Sequence, residues 1–234
     1  MKHPLPNRPE LGVRDGLAYA LFLPDGEPQA GVVILHGAGS AKESHFDFAR
    51  TARERGLAAL AYDARGHGHS AGALAASATD DALAMCALLG EHAPRVGLRG
   101  SSMGGFCAIL AAAASDGAVG AVAAICPASE SMLLRGVRSG RHGFRADEPA
   151  LEDWLQSVSV SDAAAALAPR TALLLMHARG DEQVPYTHSE ELYAVAGEPK
   201  RLLILPGGHH RSLQHDVEMQ NESLRFIERA LGAR

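Results

Sequence analysis

The segment Gly100-Ser101-Ser102-Met103-Gly104-Gly105 sets a serine between glycines, after the apolar run Val96–Gly100 and before an alanine-rich stretch with helical character. This is the G-x-S-x-G pattern in its strand–turn–helix setting, in which the serine hydroxyl is lifted clear of a sheet on a tight, strained turn. Side chains at the flanking glycines would strike the adjoining helix and strand. The helix that follows aims its first N–H groups at the same point, so the amide of Met103 faces an oxyanion forming beside Ser102. The implied chemistry is nucleophilic attack on an acyl carbon.

His36-Gly37-Ala38-Gly39-Ser40 ends an earlier apolar run, and its glycines allow the backbone to turn sharply towards the serine. The N–H of Ala38 is the expected second oxyanion donor. A dinucleotide loop is the competing reading, but G-x-G-x-x-G fails because its last position is Lys42, and G-x-x-x-x-G-K-[ST] occurs nowhere. No cofactor is expected.

A serine nucleophile needs a base, and the base needs a carboxylate to fix its tautomer and stabilise its charged form. Asp181 lies in the turn after the apolar run Thr171–His177, and Pro206-Gly207-Gly208-His209-His210 follows the next run, Arg201–Leu205. The order Ser, Asp, His along the chain is the one associated with a serine on this kind of elbow. The pattern G-x-x-H selects His210, although Gly207-Gly208-His209 offers a second histidine. His67 and His69 resemble an H-x-H metal pair, but their Arg65-Gly66-His67-Gly68-x-Ser70 turn favours a hydrogen-bonding role. No metal site is expected, and His177 and His215 read as structural.

These residues need strands to carry them. Apolar runs at Leu17–Leu23, Gly31–His36, Ala58–Asp63, Val96–Gly100, Val119–Cys126, Thr171–His177 and Arg201–Leu205 alternate with helical patterns. The helical stretches are Lys42–Arg55, Thr79–Glu91, Met103–Ala114, Ser161–Leu167, Thr187–Ala196 and Ser212–Leu231. Runs that are apolar throughout, separated by helices, imply a parallel sheet covered on both faces, an α/β fold in one domain over 1–234. Only the stretch from Ser129 to Ser159 breaks the rhythm. It is too long for an ordinary connection and reads as a lid-like insertion or a loop. Arg135, Arg138 and Arg141 recur three apart there, and Leu133, Leu134, Val137 and Trp154 supply apolar surface for a cleft above Ser102.

Composition limits the partners. The 234 residues are 47% hydrophobic and 21% charged with a net charge of −5. Only Arg135, Arg138, Arg141 and Arg145 form a basic cluster, which is better explained as a solvated face than as a nucleic-acid surface. The longest apolar stretch, Val119–Ala128, is far too short to cross a bilayer. The proline-punctuated segment before Arg14 has no apolar run of a signal peptide. Cys86, Cys107 and Cys126 sit among apolar residues and read as buried free thiols in a reducing compartment, so a cytoplasmic location is expected.

Taken together, His36-Gly37-x-Gly39-Ser40, Asp63-x-Arg65-Gly66-His67-Gly68-x-Ser70, Gly100-x-Ser102-x-Gly104-Gly105, Gly180-Asp181-x-x-Val184-Pro185 and Gly207-x-x-His210 resemble the α/β-hydrolase superfamily. The size and compact insertion are similar to dienelactone-hydrolase-like and serine-aminopeptidase-like esterases. The resemblance implies an eight-stranded, mostly parallel sheet and a cofactor-free serine hydrolase acting on a small-molecule acyl substrate. Serine at 102, not aspartate, departs from the haloalkane dehalogenases and epoxide hydrolases. Thioesterase, acyltransferase and peptidase activities would use the same residues, whereas a non-catalytic binding module would be expected to lack one of them.

Overall fold

The computed structural model describes residues 8–140 and 143–233. Eight strands form one sheet: β1 (Glu10–Arg14), β2 (Leu17–Phe22), β3 (Gly31–Leu35), β4 (Ala58–Tyr62), β5 (Val96–Ser101), β6 (Val119–Ile125), β7 (Ala172–Ala178) and β8 (Lys200–Leu205). Their spatial order is β1-β2-β4-β3-β5-β6-β7-β8. β1 and β2 are antiparallel to their neighbours, and every later pairing is parallel. Nine helices follow among the described residues: α1 (Phe46–Glu54), α2 (Ala78–Gly90), α3 (Met103–Ala114), α4 (Glu130–Arg138), α5 (Glu148–Ser157), α6 (Val160–Ala166), α7 (Tyr186–Val195), α8 (Ser212–His215) and α9 (Val217–Ala230).

The sheet separates two cores, as uninterrupted apolar strands require. On one face Val33, Leu98, Val122 and Leu175 pack with Phe106 and Ile109 of α3 and Met85 and Leu89 of α2. On the other, Ile34, Ala123 and Leu174 pack with Phe48 of α1 and with Leu224 and Ile227 of α9. Parallel register brings the carboxyl ends of the strands level: Leu35 opposite Gly100, Ser101 opposite Ile125, Ile125 opposite Met176, and Ala178 opposite Leu205. Each chemistry-bearing turn therefore leaves the sheet at one edge, where open α/β sheets place their sites.

Four elements differ from the sequence reading. β1 was not anticipated, because it is an edge strand whose Leu11 and Val13 are 72% and 69% exposed and bury no stripe. The stretch from Lys42 begins as a 3₁₀ turn, Lys42–His45, whose first N–H donates to Asp63 Oδ1 at 2.8 Å. The last helix breaks at Asp216, which is extended and caps α9 by accepting from the Met219 N–H at 3.0 Å. Residues 129–159 hold two helices rather than a loop, each started by a side-chain cap: Ser129 for α4 and Asp147 for α5.

No helix among the described residues is long and apolar enough to cross a membrane. Burial pushes the Cys86 and Cys107 thiols up to about 12, and all three cysteines are free.

Candidate active site

Ser102 joins β5 to α3 with φ 53° and ψ −117°, a left-handed conformation that is costly for a residue with a Cβ. Neighbouring backbone holds it there. Its N–H donates to Ile125 O at 2.9 Å, and its carbonyl accepts from the Phe106 and Ala128 N–H groups at 3.0 and 3.1 Å. The glycines answer to close approach: a Cβ on Gly100 would lie 2.1 Å from Gly104 O, and one on Gly104 would lie 2.2 Å from Leu35 O. The turn can form only if both positions lack side chains.

Ala38, Ser102 and Met103 line one cavity. Two histidines brace the Ala38 loop. The His36 Nε2 accepts from the Ala64 N–H at 3.0 Å, so its Nδ1–H donates to Gly37 O at 2.7 Å. The His67 Nε2 accepts from the Gly39 N–H at 3.1 Å while Nδ1 donates to Arg65 O at 3.1 Å. Both nitrogens of His67 are thus engaged in joining two loops, the role expected from its turn.

Beneath this loop, Lys42 Nζ donates to the buried Asp63 Oδ2 at 2.7 Å, and the His69 N–H donates to the same oxygen at 2.8 Å. Burial alone would raise the Asp63 pKa. The His69 and Lys42 N–H groups and the Lys42 ammonium outweigh it and hold the carboxyl below its ordinary range.

Asp181 and His210 come off adjacent strands, β7 and β8. Their loops touch where a Cβ on Gly180 would sit 2.3 Å from Gly208 O, so the contact admits no side chain at 180. His210 Nδ1 lies 2.7 Å from Asp181 Oδ2, which fixes the tautomer and leaves Nε2 to face the cleft it shares with Ser102. His209 makes no such contact: it is exposed, and its ring nitrogen accepts from the Arg211 N–H at 3.3 Å.

The Asp181 carboxylate is surrounded by donors. Its Oδ1 accepts from the Gln183 and Val184 N–H groups, both at 2.8 Å. His177 Nε2 lies 3.3 Å from Oδ2 and 2.9 Å from Val184 O, while His177 Nδ1 meets Ser189 Oγ at 2.7 Å. Facing two acceptors, Nε2 carries the proton and Nδ1 accepts from the serine. Cys126, held at φ 44°, brings its thiol within 4.8 Å of the same carboxylate. Burial would raise the Asp181 pKa, but His177, His210 and the two N–H groups drive it far below the carboxylate range.

Cys126, His177 and Asp181 bring a thiol, an imidazole nitrogen and a carboxylate within 4.8 Å of one another, which is metal-ligand chemistry in type. Here the imidazole is already engaged, its Nε2 by Val184 O and Asp181 and its Nδ1 by Ser189, so the group reads as a hydrogen-bonded shell. The sequence reading missed this shell, although the His-x-x-x-Asp spacing from strand end into turn was its available signal.

The insertion forms the far wall. Met132, Leu133 and Val137 of α4 and Leu151, Trp154 and Leu155 of α5 line a cavity of about 210 Å³ together with Ala38, Ser102, Met103 and Val184. Leu134 was expected on this wall; it is partly buried against the adjoining core but does not line the cavity. The indole of Trp154 meets Phe106 of α3 edge-on at 5.7 Å. Arg138 pairs with Glu152 across the two helices, and Phe144 stacks on His67 at 4.3 Å. Arg135 and Arg138 both lie on α4, whereas Arg141 lies outside the described residues.

Residues 26–140 match the family model described as serine aminopeptidase, S33, a stretch that includes Ser102 and ends before Asp181. An uncharacterized protein, YfhR of Escherichia coli O157:H7, is 28% identical over 213 residues, covering 86% of this chain and 71% of that protein. Among solved structures, the α/β hydrolase GrgF from Penicillium sp. sh18 superposes with a TM-score of 0.78 at 21% identity, over 97% of this chain and 100% of that one. Est1E from Butyrivibrio proteoclasticus, solved with ferulic acid bound, gives 0.72 at 23% identity over 94% and 96%.

Proposed function

We propose that this chain, an α/β hydrolase by fold and motifs, cleaves carboxylic esters of small or medium acyl compounds through an acyl-enzyme on Ser102. The observation that carries the reading is the 2.7 Å His210–Asp181 pair, which opens on the same cleft as a serine held at positive φ.

In the first step Ser102 Oγ attacks the carbonyl carbon as His210 Nε2 takes its proton, and Asp181 stabilises the imidazolium. The Ala38 and Met103 N–H groups hold the oxyanion, each contributing about 3–4 kcal/mol to lowering the barrier. His210 then protonates the departing alcohol. Water, deprotonated by the same histidine, attacks the acyl-enzyme and releases the acid. The apolar cavity under α4 and α5 receives the acyl chain, and the 129–159 insertion acts as a lid that sets acyl preference.

The aminopeptidase match over 26–140 favours a second reading, amide cleavage by the same residues. One experiment addresses both. The protein is treated with a fluorophosphonate, the adduct is located by mass spectrometry, and p-nitrophenyl esters of graded chain length are compared with thioesters and aminoacyl anilides. An adduct on Ser102 with esters turned over fastest is the expected result. Anilides turned over fastest would transfer the chain to peptidase chemistry, and absence of any adduct would refute the serine mechanism.

A further inference from the structure

Beside the apolar cavity lies a second, polar compartment that shares Ala38, Ser102 and Gln183 with it and is completed by Ser40, Ser101, His210, Arg211 and Gln214. Behind its wall sits Arg99 of β5, 1% exposed. Its guanidinium lies 4.0 Å from the Phe48 ring centroid. One nitrogen donates to Gln214 O at 3.1 Å, and another meets His45 Nδ1 at 3.5 Å. None of these partners is a carboxylate. Burial lowers the Arg99 pKa to about 9, which still leaves a cation at neutral pH.

Buried polar atoms are nearly always partnered, yet three of the four that lack a protein partner among the described residues belong to this group: Arg99 Nε, His45 Nε2 and Ser101 Oγ. Because His45 Nδ1 accepts from Arg99, its Nε2 carries the proton. Burial, and then the Arg99 charge, keep that ring neutral. Neighbouring acids are already engaged. Asp63 binds Lys42, Asp181 binds His210, and Glu182 accepts from the His210 N–H at 3.1 Å. The compartment therefore has Arg211 at its rim, an uncompensated guanidinium behind it and a buried hydroxyl in its wall. In a poorly solvated recess such a charge is weakly screened, so its field reaches the cleft.

Building on the acyl-transfer reading, we infer that this compartment binds a carboxylate or phosphate group carried on the leaving-group half of the substrate. Substrates are then esters whose acyl side is apolar and whose alcohol side is anionic. An anion seated there compensates Arg99, whose burial without a counter-charge is otherwise a net cost to the fold.

The test compares 4-nitrophenyl butyrate with its ring-carboxylated analogue, 5-butyryloxy-2-nitrobenzoate, at fixed ionic strength. The wild-type kcat/KM should favour the carboxylated ester by about tenfold or more, the scale of one charge-assisted hydrogen bond. Arg211→Gln and Arg99→Met should each reduce that ratio severalfold. The ratio is the readout because it cancels any common effect on folding or chemistry, and Arg211→Gln, at an exposed position, serves even if Arg99→Met does not fold. Inorganic phosphate should raise the wild-type Tm and leave that of Arg211→Gln unmoved. Equal use of both esters by the wild type, or a ratio that neither variant changes, overturns the inference while leaving the hydrolase reading intact. If no ester is hydrolysed and Ser102 takes no label, it is the hydrolase reading that fails. The phosphate shift then decides the compartment alone: a wild-type shift lost in Arg211→Gln supports it, and no shift overturns it.

Discussion

His177 Nε2 lies 3.3 Å from Asp181 Oδ2, the same oxygen that meets His210 Nδ1 at 2.7 Å. Two imidazoles thus converge on one carboxylate oxygen, and only His210 borders the cleft. His177 holds Asp181 in the orientation that His210 requires. Replacing His177 with Leu should lower kcat at least about tenfold, since a hydrogen bond to a charged group is worth roughly 1.5 kcal/mol or more. KM should stay within about twofold, because no substrate contact is removed. A parallel rise in KM with unchanged kcat would mean that His177 shapes the pocket instead.

Ser102→Ala should leave a folded protein with less than about one per cent of wild-type turnover. The far-UV spectrum and Tm establish the fold. Residual activity above that level would exclude Ser102 as the nucleophile.

His210→Ala should lose at least about three orders of magnitude in kcat, and His209→Ala far less, because His210 and not its neighbour His209 is paired with a carboxylate. Steady-state kinetics of both variants on one ester decide the matter. The reverse order would move the base to His209.

Acyl preference should respond to the insertion wall. Trp154→Ala and Leu133→Ala enlarge the cavity that Ser102 shares with α4 and α5. The ratio of kcat/KM between long and short acyl esters should shift towards the long ones by about tenfold, since each methylene in a pocket is worth roughly 1–3 kcal/mol. Leu134→Ala is the control, as Leu134 lies on the same helix but does not line the cavity. Equal loss on every chain length would make the insertion mere packing.

Asp181 gives stability a defined pH dependence. Its folded pKa is depressed below the unfolded value of about 3.9, so its contribution is complete above that value and fades as pH falls towards the folded one. Asp181→Asn should therefore be distinctly less stable than wild type at neutral pH, with the gap narrowing on acidification. Urea unfolding at pH 7 and pH 3 measures both gaps. A gap that widens in acid would contradict the depressed pKa.

The sheet and its turns were legible because parallel strands buried on both faces must be apolar throughout. β1 was not, since a strand exposed on its open edge has no apolar stripe to detect. The Ser102 elbow could be read because two glycines are demanded by close backbone approach, and such a demand leaves a mark in sequence. Arg99 left none: it stands in an apolar strand as one charged letter, and its meaning depends on Phe48, His45 and Gln214, which only folding brings to it. Cys126 and His177 were visible as residues but not as a pair around Asp181, because their convergence comes from the β6–β7 register.

The strands that carry the chemistry do not share a common security. β5 lies in the middle of the sheet between β3 and β6, while β8 forms its margin and is only partly covered on both sides. Peripheral strands detach at lower free energy than central ones. Under mild heat or denaturant the histidine-bearing loop is therefore expected to depart first, leaving the serine elbow on an intact centre. Loss of the Asp181–His210 pairing is expected before global melting, since the strand that leads to His210 is paired on β7 alone.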